Sequence, residues 1–192
     1  MAKRNEFKPD KPRAGFFSKL YLTQKQRRTV LKWFLYALVL LALSVLQDVI
    51  LSRVRLFGAT TELVPVGIFL ICVLEGLESG SVFALVASAC YVFSGTAAGV
   101  YCIVLITVLS VGVTLFRQSY LQRGFAAAML CVAAAMLAYE IAVFSIGMVL
   151  SLTAWRRVGV FALTAVYSLI AAPALYFITE KIGKVGGQSW KE

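Results

Sequence analysis

Residues 125–150 read FAAAMLCVAAAMLAYEIAVFSIGMVL, an apolar run with one charged side chain, Glu140, and no proline. An α-helix needs ~20 apolar residues to cross the hydrocarbon core of a bilayer, and this run exceeds that length. Lipid offers the backbone no hydrogen-bond partners, so such a run is stable as an α-helix, which satisfies its own amide and carbonyl groups. The stretch therefore predicts a transmembrane helix and an integral membrane protein.

The rest of the chain repeats this pattern. Of its 192 residues, 60% are hydrophobic and only 15% are charged, which is typical of a bundle whose outer surface faces lipid. Two short apolar runs, residues 63–77 and 81–93, predict a helical hairpin that turns at residues 75–80 and enters the membrane with or without fully crossing it. Three further runs are long: residues 33–51, 100–116 and 158–178. We expect an all-α integral membrane protein of about six transmembrane helices.

The charged residues divide the chain into three parts. A basic tail, residues 1–32, precedes the transmembrane domain, residues 33–180, and residues 181–192 form a second basic tail. Because Lys and Arg concentrate on the cytoplasmic side of membrane proteins, we expect both termini in the cytoplasm. We expect Arg27, Arg28 and Lys32 to face anionic lipid headgroups, at about 1 kcal/mol per residue. No folded nucleic-acid recognition module accompanies the net charge of +10.

The residue types that catalysis requires are scarce. The chain has no histidine, and its four cysteines lie inside apolar stretches without CxxC spacing. Neither a nucleophile with a plausible base nor a glycine-rich phosphate loop is evident. The sequence therefore predicts a protein that is not an enzyme and binds no metal or cofactor.

Three acidic residues within or near the apolar runs are candidate contacts to a partner protein: Glu140, Asp48 and Glu75. A charged carboxylate near the bilayer centre costs about 2.5–3.5 kcal/mol on insertion scales, so its presence there indicates a use. Glu140 fits best, because it lies well inside its run. Asp48 and Glu75 lie nearer the ends of theirs, where solvation alone explains them. We expect Glu140→Ala to weaken partner binding or stability more than Glu75→Ala.

Small residues recur every four positions through the predicted hairpin: Gly76, Gly80, Ala84 and Ser88. This spacing lets helices approach closely in lipid. Packing inside the bundle is the favoured interpretation, and a surface for another protein is the alternative.

Several short features occur in a characteristic order: LeuGln at 46–47, PheGly at 57–58, Pro65, and the glycines Gly76 and Gly80. This order resembles the family of the rod shape-determining membrane protein MreD over most of residues 33–184. The chain departs from the family pattern at Ala84, Ser88 and Tyr91, where further glycines and an aspartate are usual, and in its long basic tail. The resemblance implies a non-enzymatic scaffold in the bacterial inner or plasma membrane. Such a scaffold associates with MreC and, through it, with the MreB filament and peptidoglycan synthases.

The same fold type is similar to the substrate-binding S component of energy-coupling-factor vitamin transporters. That likeness implies a small vitamin held in an extracytoplasmic cavity. A polar vitamin needs several convergent hydrogen-bonding side chains. The outward halves of the predicted helices supply few, mainly Asp48, Glu62, Ser94 and Thr96, so the scaffold is the leading hypothesis.

Overall fold

The computed structural model describes residues 24–53, 58–121 and 124–185. Within these ranges each apolar run forms an α-helix. The helices are α1 (Gln24–Val49), α2 (Leu63–Glu75), α3 (Leu77–Phe93), α4 (Tyr101–Tyr120), α5 (Phe125–Val149) and α6 (Val158–Val185).

Four of these helices, α1, α4, α5 and α6, are long and apolar enough to cross a membrane. With its 25 residues, α5 is about 37 Å long at 1.5 Å per residue. The predicted all-α membrane-embedded class is therefore confirmed. The helices α2 and α3, of 13 and 17 residues, are shorter, and a count of six spans stays a prediction.

The short helix α2 lies at the centre of the bundle. All of its 13 residues are buried, and it contacts each of the other five helices. A helix that is apolar on every side must be surrounded by protein or lipid, and here the surrounding is protein. Pro65 occupies its first turn, where a backbone N–H has no partner within the helix, so the proline costs α2 nothing.

Successive helices run antiparallel. Lys32 near the start of α1 meets Glu75 at the end of α2, whereas Gln47 near the end of α1 meets Leu63 at the start of α2. We call the end of the bundle at which α1 begins and α6 ends the terminal end, and the other the distal end. The Tyr36 hydroxyl of α1 lies 3.4 Å from the carbonyl oxygen of Thr179 on α6, so these two helices meet near the terminal end.

The turn between α2 and α3 is tighter than predicted. The sequence indicated a turn over residues 75–80, but Gly76 alone separates the two helices, and residues 77–80 already belong to α3. Gly76 has φ +90° and ψ −179°, a conformation essentially restricted to glycine. Gly80 then lies against α2, where an added Cβ would come within 3.0 Å of the Cys72 Cα and carbonyl oxygen.

Helices extend into both predicted tails, and the predicted boundaries of the transmembrane domain, residues 33–180, stay predictions. α1 begins at Gln24, inside the predicted tail of residues 1–32, and α6 continues to Val185, past residue 180. Lysine and arginine are good helix formers, so a change from apolar to basic composition does not end a helix. The remaining parts of the tails, residues 1–23 and 186–192, lie outside the described residues, as does Phe57 of the PheGly pair.

Gly76→Ala is expected to destabilise the bundle by about 1–3 kcal/mol, because alanine is strained at this φ and ψ. The measurement is thermal unfolding of the purified protein in detergent. Gly112→Ala is the matched control, since Gly112 lies within α4 and has open space around its Cβ position. Equal melting temperatures for the two variants would contradict the assignment of strain to Gly76.

Candidate functional site

A polar cluster surrounds the start of α2 near the distal end of the bundle. The Gln47 Oε1 atom accepts hydrogen bonds from the backbone N–H groups of Leu63, at 2.8 Å, and Val64, at 3.1 Å. These amides belong to the first turn of α2 and have no carbonyl partner within the helix. A side chain from α1 therefore caps α2, and the LeuGln feature acquires a structural role.

Glu62 immediately precedes α2 and lies outside the four long apolar helices. Its backbone N–H donates to the Ser168 Oγ atom of α6 at 2.8 Å. Its Oε2 atom is buried and has no hydrogen-bond partner in residues 24–53, 58–121 and 124–185. Burial disfavours the charged form and raises the pKa of the Glu62 carboxyl above its usual range.

Glu140 of α5 faces the same cluster. Only 4% of its surface is exposed, and its Oε1 atom has no hydrogen-bond partner among the described residues. The Glu62 carboxyl is close enough to interact with it electrostatically. Its neighbour Tyr139 packs edge-on against Phe69 of α2 at 6.3 Å between ring centroids, and the Tyr139 hydroxyl donates to the Cys102 Sγ atom at 3.6 Å. Glu140 is thus buried and incompletely satisfied, and its contact with a partner protein stays a prediction.

Glu140 also lines a groove that opens between α5 and α6. The groove has a volume of about 320 Å³, and its walls are apolar and aromatic side chains. Ile141 and Trp155 on its rim are 65% and 72% exposed. The carboxyl therefore lies between the interior cluster and a surface that faces out of the bundle.

At the terminal end of α2, the structure corrects two predictions. The Lys32 Nζ atom donates to the Glu75 Oε2 atom at 2.5 Å, and the Tyr36 hydroxyl donates to Oε1 at 2.7 Å. Lys32 and Glu75 are only 5% and 9% exposed. The prediction that Lys32 faces lipid headgroups is wrong, because its charge is neutralised inside the bundle, and Glu75 is not free to bind a partner protein.

This pairing changes the expected effect of Glu75→Ala. Removing the carboxylate would leave the Lys32 charge buried and uncompensated, so the variant is expected to lose stability. It is therefore no neutral reference for Glu140→Ala. Asp48 is exposed near the end of α1, so Asp48→Ala is the better reference variant for Glu140→Ala.

Arg27 and Arg28 are exposed in the first turns of α1, and their contact with lipid headgroups stays a prediction.

Arg117 is a further group that the sequence did not single out. It is 7% exposed near the end of α4 and donates a hydrogen bond to the backbone carbonyl of Val73. That carbonyl lies in the last turn of α2, where helix carbonyls have no partner within the helix. The capping role of Gln47 was also not predicted, since this residue was named from the sequence only as part of the LeuGln feature. Both residues could have been identified as polar side chains at the edge of an apolar run.

The stripe of small residues is internal to the bundle. Ala84 and Ser88 are fully buried. The Ser88 Oγ atom donates to the Leu85 carbonyl and lies 3.4 Å from the Thr107 Oγ1 atom of α4. With Gly80 against α2, the stripe serves the packing of α3 onto α2 and α4, the interpretation favoured above.

Among residues 24–53, 58–121 and 124–185, no group of three or more His, Cys, Asp or Glu side chains is arranged to hold a metal ion. Comparison with known proteins finds no family model, curated protein or solved structure that matches the chain.

Replacing Lys32 with methionine is expected to lower the free energy of unfolding by about 3–5 kcal/mol, because Glu75 is left buried without its cation. The double variant Lys32→Met with Glu75→Leu should recover part of that loss. The measurement is a double-mutant cycle of thermal or denaturant unfolding in detergent. The control is the exposed pair Lys184–Glu180, with its Nζ and Oε1 atoms at 2.7 Å, where substitution should cost about 0–1 kcal/mol. Similar losses at both pairs would contradict a special role for Lys32.

Gln47→Ala is expected to destabilise the bundle by about 1–3 kcal/mol, since it leaves two buried amide groups of α2 without an acceptor. Hydrogen exchange at Leu63 and Val64, followed by mass spectrometry, should increase more than exchange in the middle of α5. Asp48→Ala, the adjacent exposed position, is the control. Unchanged exchange in Gln47→Ala would mean that other groups satisfy the start of α2.

Proposed function

We propose that the chain is a non-enzymatic membrane scaffold of the bacterial cell-elongation machinery, which associates with MreC and acts in cell shape and peptidoglycan synthesis. Two features of the chain support this function: the MreD-like order of its sequence features and one structural observation. That observation is the groove between α5 and α6, an apolar surface of a membrane-embedded bundle with an incompletely satisfied carboxyl, Glu140, at its base. Polar side chains at lipid-facing surfaces are costly and suit contacts between membrane proteins.

The orientation follows from the distribution of basic residues between the two ends of the bundle. The terminal end carries Arg27, Arg28, Arg117, Lys181 and Lys184, whereas the distal end carries Arg53, Arg156 and Arg157. The positive-inside rule favours a cytoplasmic terminal end, with both termini in the cytoplasm of a bacterium. In this orientation α2 and α3 complete a six-helix transmembrane domain.

The remaining polar contacts support a rigid scaffold. Gln47 and Arg117 satisfy backbone groups of α2, and Lys32 neutralises Glu75. These side chains have structural partners and need no substrate. Glu140 differs from them, because its Oε1 atom has no hydrogen-bond partner in the part of the chain that the structure describes.

The alternative function is the S component of an energy-coupling-factor vitamin transporter. The observation that favours it is the distal polar cluster, where Glu62, Tyr91 and Tyr139 converge. One Glu62 oxygen there is buried and has no hydrogen-bond partner among the residues described. Against it, the oxygens of Gln47 and Ser168 are already occupied by backbone amides around the start of α2. The scaffold therefore remains the preferred function.

Affinity purification of the tagged full chain from its native membrane, with mass spectrometry of proteins and small molecules, tests the two functions against each other. We expect MreC and other elongation proteins to be enriched over a control purification of an unrelated tagged multi-pass membrane protein. A retained vitamin or a transporter ATPase module would instead establish the S-component function. The absence of elongation proteins from membranes that contain them would contradict the scaffold.

A further inference from the structure

The side chains that line the groove between α5 and α6 limit what kind of molecule can bind there. Its walls are apolar, and the small side chains of Ala162 and Ala165 at α6 leave room for another surface to approach closely. Among the described residues that line the groove, Glu140 is the one with an acidic side chain. The principal large lining residues are Leu137, Ile141, Phe144, Trp155 and Phe161.

The depth of Glu140 limits what can satisfy it. It precedes Val149, the last residue of α5, by about 14 Å along the helix axis. In a hydrocarbon core about 30 Å thick, that is near the middle of the membrane. Acyl chains carry no hydrogen-bond donor, so lipid at this depth cannot satisfy the Glu140 Oε1 atom. A polar side chain on another transmembrane helix can.

Charge at the mouth of the groove adds a second constraint. Arg156 and Arg157 follow Trp155 at the distal end and are exposed. A helix seated in the groove would leave the membrane beside these two arginines. An acidic residue just beyond the end of that helix would complement them and set its orientation.

We infer that this groove receives one transmembrane helix of a partner protein, which carries a hydrogen-bond donor at the depth of Glu140 and an acidic residue next to Arg156 and Arg157. The inference rests on the scaffold function in taking the partner to be a membrane protein, and it assigns the contact surface. Glu140 and the walls of the groove form the recognition site, whereas the acidic residues Glu75 and Asp48 take no part in it.

Site-specific photocrosslinking of the full chain in its native membrane tests the inference. The crosslinking amino acid p-benzoylphenylalanine is placed at Ile141 on the groove rim, and at Val108 of α4 as the control. These two side chains are 65% and 61% exposed and lie at similar distances from the distal ends of their helices. We expect a crosslink at 141 and none at 108. The crosslinked partner peptide should come from an apolar segment that contains a donor side chain and is followed by an acidic residue.

The role of Glu140 is tested by two substitutions in the 141 crosslinking variant. Glu140→Gln retains a hydrogen-bonding group, and Glu140→Leu removes it. We expect Glu140→Leu to reduce the crosslink about three- to thirty-fold and Glu140→Gln to retain most of it, as loss of one interhelical hydrogen bond predicts. If Glu140→Leu does not fold, Ala162→Phe fills the groove from an exposed position and should abolish the crosslink with Glu140 in place.

The possible results separate this inference from the proposed function. A crosslink at 141 only to lipid, or only to a second copy of this chain, would overturn the inference. So would a crosslink that neither Glu140→Leu nor Ala162→Phe weakens. Capture of MreC at 108 but not at 141 would preserve the scaffold function and reject the groove. Capture at 141, dependent on Glu140, of a helix from a protein outside cell elongation would support the groove and reject the elongation role.

Discussion

The structure depends on satisfying the backbone at the two ends of α2. A helix leaves its first amides and last carbonyls without internal partners. Because all of α2 is buried, neither water nor lipid headgroups can easily supply them. Gln47 of α1 bonds the first amides, and Arg117 of α4 bonds a carbonyl of the last turn. These bonds set the positions of α1 and α4 relative to α2, and the remaining helices enclose it.

The charged and polar groups inside the bundle fall into two kinds. Lys32, Tyr36 and Glu75 form a complete set in which the carboxylate has a cation and a hydroxyl donor. Removing one member would leave an uncompensated charge, so this set serves stability. Glu62 and Glu140 are different, because within the described part of the chain each has a buried oxygen without a hydrogen-bond partner and neither acid forms an ion pair. The contrast separates one acid that stabilises the fold, Glu75, from two acids whose hydrogen bonding is incomplete.

The position of Glu140 connects the interior to the surface. On one side it faces Glu62 and the polar cluster at the start of α2, and on the other it lines the apolar groove of α5 and α6. A helix that binds there would complete the hydrogen bonding of an interior group. The same hydrogen bond to Glu140 would then select the partner helix and stabilise the complex.

The helical membrane class and the positions of the apolar helices could be predicted from residue order alone, because a backbone in lipid must form its hydrogen bonds within each segment. The sequence also indicated Glu140, since an acid deep in an apolar run is costly. The central place of α2, its cap by Gln47 and the inward turn of Lys32 to Glu75, 43 residues away, depend on how the helices pack in three dimensions. From composition alone, a lysine beside an apolar run is predicted to lie at the membrane surface. Its actual environment depends on which residue the packing of distant helices brings within reach, and no local pattern encodes that choice.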